Sequence, residues 1–176
     1  MEKTELQELI AGCLRNERRH QEKLYRMFYG FACSIAIRYA CDRDEASIIL
    51  NKSFYNAFVS LNHYKETITF KEWLRNCIIQ ASIKHYFDKL KLPALILESK
   101  TDNINFQSYG FEKDLPEDRI KMLHQLPDLD RIIFNLFAIE GYSHEKIASL
   151  TDISASASVK ILTNARRRLK CFMSAV

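Results

Sequence analysis

Apolar residues recur at helical spacing along most of this chain, and that periodicity constrains its fold more than any other feature. Between Glu22 and Ala40 one face carries seven of them: Leu24, Met27, Phe28, Phe31, Ala32, Ile35 and Tyr39. Residues three and four apart lie on the same side of an α-helix, so this stretch predicts a long amphipathic helix. The 176 residues include only four Gly and three Pro, too few turn residues for a sandwich or barrel of many short strands. We therefore predict an all-α fold.

The same pattern continues through the N-terminal half. After a polar break at residues 41–44, a second helix is predicted to run to about Leu61, with acidic residues at its start, where the helix dipole favours them. A third helical pattern begins at Phe70 and ends at about Leu92, just before Pro93. Residues 1–91 are predicted to form one helical bundle.

A break in periodicity separates this half from a second helical region. Between Glu98 and Asp118 six acidic residues accompany two basic ones, which predicts an acidic linker over residues 92–116. Helical patterns then resume at about 117–125, 128–139, 144–150 and 155–173. Residues 117–176 are predicted to form a second, smaller domain.

The sequence lacks the signals typical of membrane proteins, secreted proteins, metal-binding proteins and common enzyme classes. No apolar run reaches the ~18 residues of a membrane span, and the N-terminus has no signal-like apolar segment, so we predict a cytoplasmic protein without membrane insertion. The five cysteines share no C-x-x-C spacing and are interpreted as reduced thiols. The five histidines form no metal-binding pair, and no nucleophile elbow or phosphate-binding glycine loop occurs. Neither an enzyme nor a cofactor is predicted.

The segment from Gly141 to Ser154 is the most informative motif. Ser143 and Ser154 stand where helix N-cap hydroxyls are needed, and Asp152 occupies the turn position where glycine is commonest; Asp is one of the few other residues that tolerate left-handed backbone angles. Ala148 is small where two crossing helices approach closely. This spacing fits a helix-turn-helix whose second helix follows Ser154, with a plain helical hairpin as the alternative.

The predicted last helix is strongly basic. It carries Lys160, Arg166, Arg167, Arg168 and Lys170, and no acidic residue follows Ile153. Such a run is often only a solvated face, favoured by the dipole at a helix C-terminus. Beside a helix-turn-helix it favours contacts with DNA phosphates.

Two sets of residues give the chain a resemblance to the sigma-70 family. The C-terminal set is Leu126-Pro127, Arg131 to Phe134, Glu140 to Ala148, Ile153-Ser154 and Ala165-Arg166; the N-terminal set is Asp44-Glu45-Ala46 with Phe54, and Phe70 to Leu74. The chain resembles RNA polymerase sigma factors of the extracytoplasmic-function (ECF) group, which keep only regions 2 and 4. The sequence from Glu140 to His144, Glu-Gly-Tyr-Ser-His, is similar to that of Bacteroidetes-type members.

The resemblance implies two DNA contacts and one polymerase contact. Residues expected at the -10 element are Asn62, His63, Tyr64, Lys71, Trp73, Arg75, Gln80 and Lys84. Those expected at the -35 element are Ser143, Ser154, Ser156, Ser158, Lys160, Asn164, Arg166 and Arg167. Those expected to bind core polymerase are Asp44, Glu45, Ile49, Asn51 and Phe54. Trp73 could stack on an unpaired base or fill the core, and the acidic linker could line a polymerase channel or be a solvated tether.

The recognition helix departs from the family pattern. Ser156, Ala157, Val159, Ile161 and Asn164 replace glycine, threonine, lysine and two arginines, and Ser47, Ile48 and Lys52 replace typical acidic positions. The resemblance implies promoter DNA, core polymerase and an anti-sigma factor as partners. Two alternatives remain: a sigma-like protein that binds polymerase or an anti-sigma partner without reading promoters, and a conventional helix-turn-helix regulator.

Overall fold

The computed structural model describes residues 3–91 and 117–174, so the predicted linker at 92–116 lies outside the described residues. Within those two ranges every regular element is helical, and the all-α prediction is confirmed. None of the described helices is long and apolar enough to cross a membrane. All five cysteines are free thiols, two of them buried.

Four helices form the N-terminal bundle: α1 (Lys3–Leu14), α2 (Arg18–Tyr39), α3 (Arg43–Ser60) and α4 (Phe70–Lys91). A short 3-10 turn, Leu61–His63, follows α3. The last three helices match the predicted segments within a few residues, whereas α1 was not predicted as a separate helix. Its signal was present, because Leu6, Leu9, Ile10 and Cys13 keep the i, i+3, i+4, i+7 spacing that packs α1 against α2.

Helix α2 is the centre of the molecule. Every residue from Phe31 to Ala40 is buried, including polar Ser34 and charged Arg38. The amphipathic pattern accounts for the first part of the helix, and its last two turns are covered on all sides because α3, α4, α5 and α6 all contact α2. A helix buried all round must find partners for any polar group that it carries.

The C-terminal half contains α5 (Glu117–His124), α6 (Asp128–Phe134), α7 (His144–Thr151) and α8 (Ala155–Ser174). A π-helical turn, Asn135–Ile139, continues α6. The helix predicted over 128–139 therefore has the right extent, but its last turn is a π-helical turn, which is wider than a turn of α-helix. The amide of Glu140 bonds to the carbonyl of Asn135, five residues back, at 2.9 Å.

The two halves share one apolar core. Ile132, Ile133 and Leu136 belong to the same buried cluster as Leu74 and Ile78 of α4. A smaller cluster of Leu123, Leu126 and Ala165 ties α5 to α8. The C-terminal helices therefore pack directly on the N-terminal bundle.

Side chains from the C-terminal half complete the end of α2. The last carbonyl groups of a helix have no partner within it. The carbonyl of Ile37 lies 2.9 Å from Nε2 of His124, and the carbonyl of Arg38 accepts from Nδ2 of Asn135 at 2.9 Å. The carbonyl of Tyr39 accepts from Nε of Arg131 at 3.0 Å. Three residues distant in sequence thus serve as the C-terminal cap of α2.

Candidate nucleic-acid interface

Helices α7 and α8 form a tight helix-turn-helix. The hydroxyl of Ser143 accepts from the amide of Lys146, and the hydroxyl of Ser154 accepts from the amide of Ala157, both at 3.2 Å. Between the helices Asp152 has φ 54°, in the left-handed region. Both predicted caps and the predicted turn residue are confirmed, so the local geometry follows from the sequence.

One stripe of α8 faces away from the protein. Its exposed residues recur at intervals of about one helical turn: Ser156, Val159, Lys160, Thr163, Asn164 and Arg167. Two cations and three polar side chains stand on this stripe, together with Val159, which is 45% exposed. A helix that presents such a face beside a tight turn has the shape and charge to enter a DNA major groove.

The opposite face of α8 is structural. Ser158 is fully buried, and its hydroxyl lies 3.0 Å from Nδ1 of His144. The His144 ring stacks on Phe137 with ring centroids 4.5 Å apart, and the guanidinium of Arg166 lies over the same phenyl ring. The structure therefore places Ser158, predicted at the -35 element, inside the protein, where it orients the first turn of α7.

The loop before α4 is built around three aromatic rings. The Tyr64 ring lies 5.5 Å from Phe70 and 5.4 Å from Trp73, measured between centroids. Phe70 is buried, whereas Tyr64 and Trp73 are half-buried. Each of these two rings therefore packs against neighbouring rings and stays partly accessible, so Trp73 is compatible with both roles considered for it, base stacking and core filling.

Two further contacts fix this loop. Thr69 and Glu72 form a capping box, in which the Glu72 carboxylate accepts from the Thr69 amide at 2.9 Å and the Glu72 amide donates to the Thr69 hydroxyl at 3.2 Å. From α1, Nε2 of Gln7 donates to the Glu66 carboxylate at 2.9 Å. Asn62 and His63 remain exposed. The Thr-x-x-Glu spacing was a readable signal for the start of α4.

The cations of α4 lie beside both the bundle and α7. Lys71 and Arg75 approach the Phe31 ring at 5.2 and 5.8 Å from its centroid. Gln80 and Lys84 line a cleft of about 360 Å³ whose other wall is Leu150 and Asp152. Two of the predicted -10 residues of α4, Gln80 and Lys84, therefore face the helix-turn-helix, whereas Lys71 and Trp73 lie against the N-terminal bundle.

The residues predicted to bind polymerase divide by exposure. Asp44 and Asn51 are exposed, whereas Ile49 and Phe54 are in the core at 1% and 3% exposure. Ile49 and Phe54 can shape the outer face of α3 from beneath, but their side chains do not reach a partner there.

Glu45 is engaged within the protein. Its carboxylate accepts from the amide of Cys41 at 2.6 Å and from Lys89 at 3.1 Å, and lies 3.2 Å from Nε2 of His85. Burial alone would raise the pKa of Glu45, but these hydrogen bonds outweigh it and hold the pKa far below its ordinary value. Glu45 joins α3, α4 and the turn between α2 and α3.

Sequence reasoning missed the most buried charges. The Glu140 side chain is 2% exposed and accepts from Arg38 at 3.1 Å and from Arg75 at 3.2 Å. Arg131 is 1% exposed. Glu140 and Arg131 both lie in the C-terminal residues that carry the family resemblance, but nothing in their local pattern indicates burial or partners more than 60 residues away. Only the packing of the two halves reveals these contacts.

Comparisons with known proteins agree with this geometry. Residues 120–169 match the family model described as "Sigma-70, region 4", a span that includes the whole helix-turn-helix. No curated protein sequence matches the chain. Among solved structures, the sigma factor RpoE in complex with the anti-sigma factor NepR from Bartonella quintana has a TM-score of 0.54 at 16% identity, covering 87% of this chain and 96% of that one. CnrH, in complex with the cytosolic domain of CnrY, has a TM-score of 0.47 at 17% identity, covering 95% of this chain and 96% of that one.

These findings characterise the C-terminal segment and the overall fold. Residues 120–169 match sigma-70 region 4, and the chain as a whole shares the fold of the RpoE structure. The Bacteroidetes-type origin suggested by residues 140–144 stays a prediction.

Proposed function

We propose that the protein directs core RNA polymerase to promoters by contacting the -35 element with α8 and the -10 element with α4 and the loop before it. The observation that carries this proposal is the exposed polar and cationic stripe of α8 within the matched region 4 segment. No covalent bond is made or broken. Base stacking lost from the duplex is replaced by stacking and polar contacts between the extruded bases and the protein. Such a factor acts in the cytoplasm, beside its polymerase.

At the -35 element the exposed stripe supplies the readers. Ser156 and Asn164 offer hydrogen-bonding groups to base edges, while Lys160 and Arg167 are placed for phosphates. Ser143 and Ser154 are exposed, and their hydroxyls cap the first turns of α7 and α8. Arg166 is exposed beside Phe137 and flanks the stripe.

At the -10 element the aromatic trio and the exposed loop supply the pocket. Tyr64 and Trp73 are partly exposed aromatic rings on which an unpaired base can stack, and exposed Asn62 and His63 precede Tyr64 in the same loop. Lys71, Arg75 and Lys84 follow along α4 for the phosphates of the same strand. This division matches the general rule that stacking tolerates any base while polar groups select it.

Polymerase and an anti-sigma factor are the proposed protein partners. Exposed Asp44 and Asn51 on α3, supported from beneath by Ile49 and Phe54, form the proposed polymerase contact. The RpoE structure contains an anti-sigma factor, and we extend that class of partner to this chain. Glu45, already engaged by Lys89 and His85, is proposed to shape the polymerase surface through α3.

Run-off transcription tests the proposal. The purified chain is combined with core polymerase and a library of genomic fragments, and we expect specific transcripts that depend on the chain. A fragment selected in this way then supplies the -10 and -35 sequences for all later assays. The variants Trp73→Ala and Asn164→Ala should each reduce or abolish the transcript without weakening polymerase binding. Asn51→Ala, at the proposed polymerase contact on α3, should instead weaken polymerase binding.

The second candidate is a protein that binds polymerase or an anti-sigma partner without reading promoters. Exposed Val159 favours it, because an apolar side chain occupies the middle of the reading stripe. Stable polymerase binding together with silence on every genomic fragment would establish this second function. Absence of polymerase binding would instead leave a conventional helix-turn-helix regulator.

A further inference from the structure

The outward stripe of α8 consists of two rows of side chains in which successive members are four residues apart. One row is polar and cationic and contains Ser156, Lys160 and Asn164. The other row begins with Val159 and Thr163, which are also exposed. Residues four apart are neighbours on the surface of a helix, so Val159 and Thr163 lie side by side. The stripe therefore has a hydrogen-bonding row and a less polar row.

Thr163 adds to the apolar character of the second row. Its hydroxyl donates to the main-chain carbonyl of Val159 at 2.9 Å, within the helix. This hydrogen bond engages the polar end of the side chain and leaves the methyl group as its unengaged part. Val159 itself is 45% exposed. Val159 and the Thr163 methyl group thus form a small apolar patch on a face that is otherwise polar.

Its position and its stiffness suit Val159 to contact with a base pair. It lies in the second turn of α8, and recognition helices contact base edges with residues near their N-terminal end. A β-branched side chain in a helix has one strongly preferred rotamer, so little conformational entropy is lost when its methyl groups meet a ligand. Lys160 and Arg167 stand on the same stripe, and the sequence of α8 contains no acidic residue. This charge suits an anionic ligand such as DNA.

An apolar side chain in the major groove needs an apolar group to meet. The edges of the base pairs there carry hydrogen-bond donors and acceptors, and the C5 methyl group of thymine is the apolar group among them. If Val159 covered a donor or acceptor instead, it would remove water from that group and supply no hydrogen bond in its place. The chemistry of Val159 therefore favours thymine and disfavours a G·C pair at the same position.

We infer that Val159 is a specificity-determining residue that selects thymine at one position of the -35 element through the methyl group of that base. This inference rests on the proposed function, in which α8 enters the major groove. It gives exposed Val159 a task in reading DNA, whereas the second candidate function treats the same side chain as a loss of reading. The two functions predict different effects when a thymine methyl group is removed.

A thymine-to-uracil scan tests the contact. The probe is the -35 duplex selected by run-off transcription, and it is bound by the full chain assembled with core polymerase. Uracil lacks only the C5 methyl group, so replacing each thymine in turn isolates that group. At one position we expect the affinity to fall about fourfold, the value of one buried methyl-sized group. Val159→Ala should lose a similar factor on the thymine duplex and should no longer distinguish thymine from uracil at that position.

Two controls accompany the scan. Val59→Ala makes the same truncation at an exposed position of α3 and should keep the full preference for thymine. In the wild-type protein, 5-methylcytosine at the sensitive position should bind more tightly than cytosine, because it restores the methyl group alone.

The outcomes separate this contact from the proposed function. Specific duplex binding that is indifferent to every uracil replacement overturns the thymine contact and leaves the -35 proposal intact. A uracil effect that persists unchanged in Val159→Ala assigns the methyl contact to another residue and also overturns the inference. Absence of any selected duplex, with polymerase binding retained, overturns the proposed function together with the inference and supports the second candidate.

Discussion

Arg131 of α6 donates from Nε to the main-chain carbonyl of Tyr39, 92 residues earlier in the chain, at 3.0 Å. The same guanidinium donates to the carbonyl of Leu126 at 2.9 Å and pairs with the Asp128 carboxylate. Three acceptors in fixed directions suit the planar fork of arginine and not the single ammonium of lysine.

Arg131→Lys is therefore expected to lower the free energy of unfolding by about 2–4 kcal/mol, because one or two hydrogen bonds from a charged group are lost in a buried site. Urea denaturation followed by circular dichroism measures the change. Arg167→Lys, on the exposed stripe, is the matched control and should stay within about 0.5 kcal/mol of the wild type. Equal stability of both variants would contradict the capping role of Arg131.

Ser158 and Ser156 are expected to behave oppositely although they are two residues apart. Ser158→Ala removes a buried hydrogen bond to His144 and should destabilise the protein by about 1 kcal/mol. Ser156→Ala, at an exposed position, should leave stability within about 0.5 kcal/mol but weaken binding to the selected -35 duplex. Thermal melting and fluorescence anisotropy provide the two readouts, and a reversed pattern would contradict the assigned faces of α8.

Arg167 and Arg168 make a second matched pair. Arg168 lies 3.3 Å from the Asp130 carboxylate, whereas Arg167 stands on the exposed stripe. For Arg167→Gln we expect the slope of log affinity against log salt to shrink by about 0.9, the value of one phosphate contact. Arg168→Gln should change the slope less. Titrations of the selected -35 duplex at several KCl concentrations measure both slopes.

The lowered pKa of Glu45 predicts that the free energy of unfolding decreases in acid. Its pKa is lowered in the folded protein relative to the ordinary 4.5, so the carboxylate stabilises the fold fully above that pH. As the pH falls below 4.5 the unfolded chain takes up the proton first, and this contribution is progressively lost toward the lower folded pKa. Glu45→Gln should be less stable at neutral pH and should lose less stability between pH 5 and 3, measured by urea titrations. A steeper acid dependence in Glu45→Gln would refute this account.

The features predicted well from sequence are those set by near neighbours. Ser143, Ser154 and Asp152 each act on backbone groups within three residues, and local rules for caps and turns are sufficient to place them. The bounds of the helices are also predicted well, because they follow from the spacing of apolar residues along the sequence. The π-helical turn after α6 escaped prediction because its wider hydrogen bonding leaves the apolar pattern almost unchanged.

Contacts between the halves escaped prediction for a different reason. Glu140 looks like an ordinary acidic residue ahead of a helix, and Arg75 like one more surface cation of α4. Their pairing depends on how two helical units separated by residues 92–116 come together, and charge alone matches either residue with many others. The prediction that Ser158 contacts DNA was wrong for a similar reason. Successive residues of a helix point in different directions, so a small error in the orientation of α8 decides which of its serines face outward.

The three side chains that meet the carbonyls of Ile37, Arg38 and Tyr39 make the last turn of α2 a joint product of both halves. In the N-terminal bundle produced alone, water would have to hydrate those oxygens instead, so the central helix α2 would fray at the end that leads into α3. Separation of the two halves would therefore also destabilise the turn between α2 and α3, so the order of the N-terminal bundle depends on contact with the C-terminal helices.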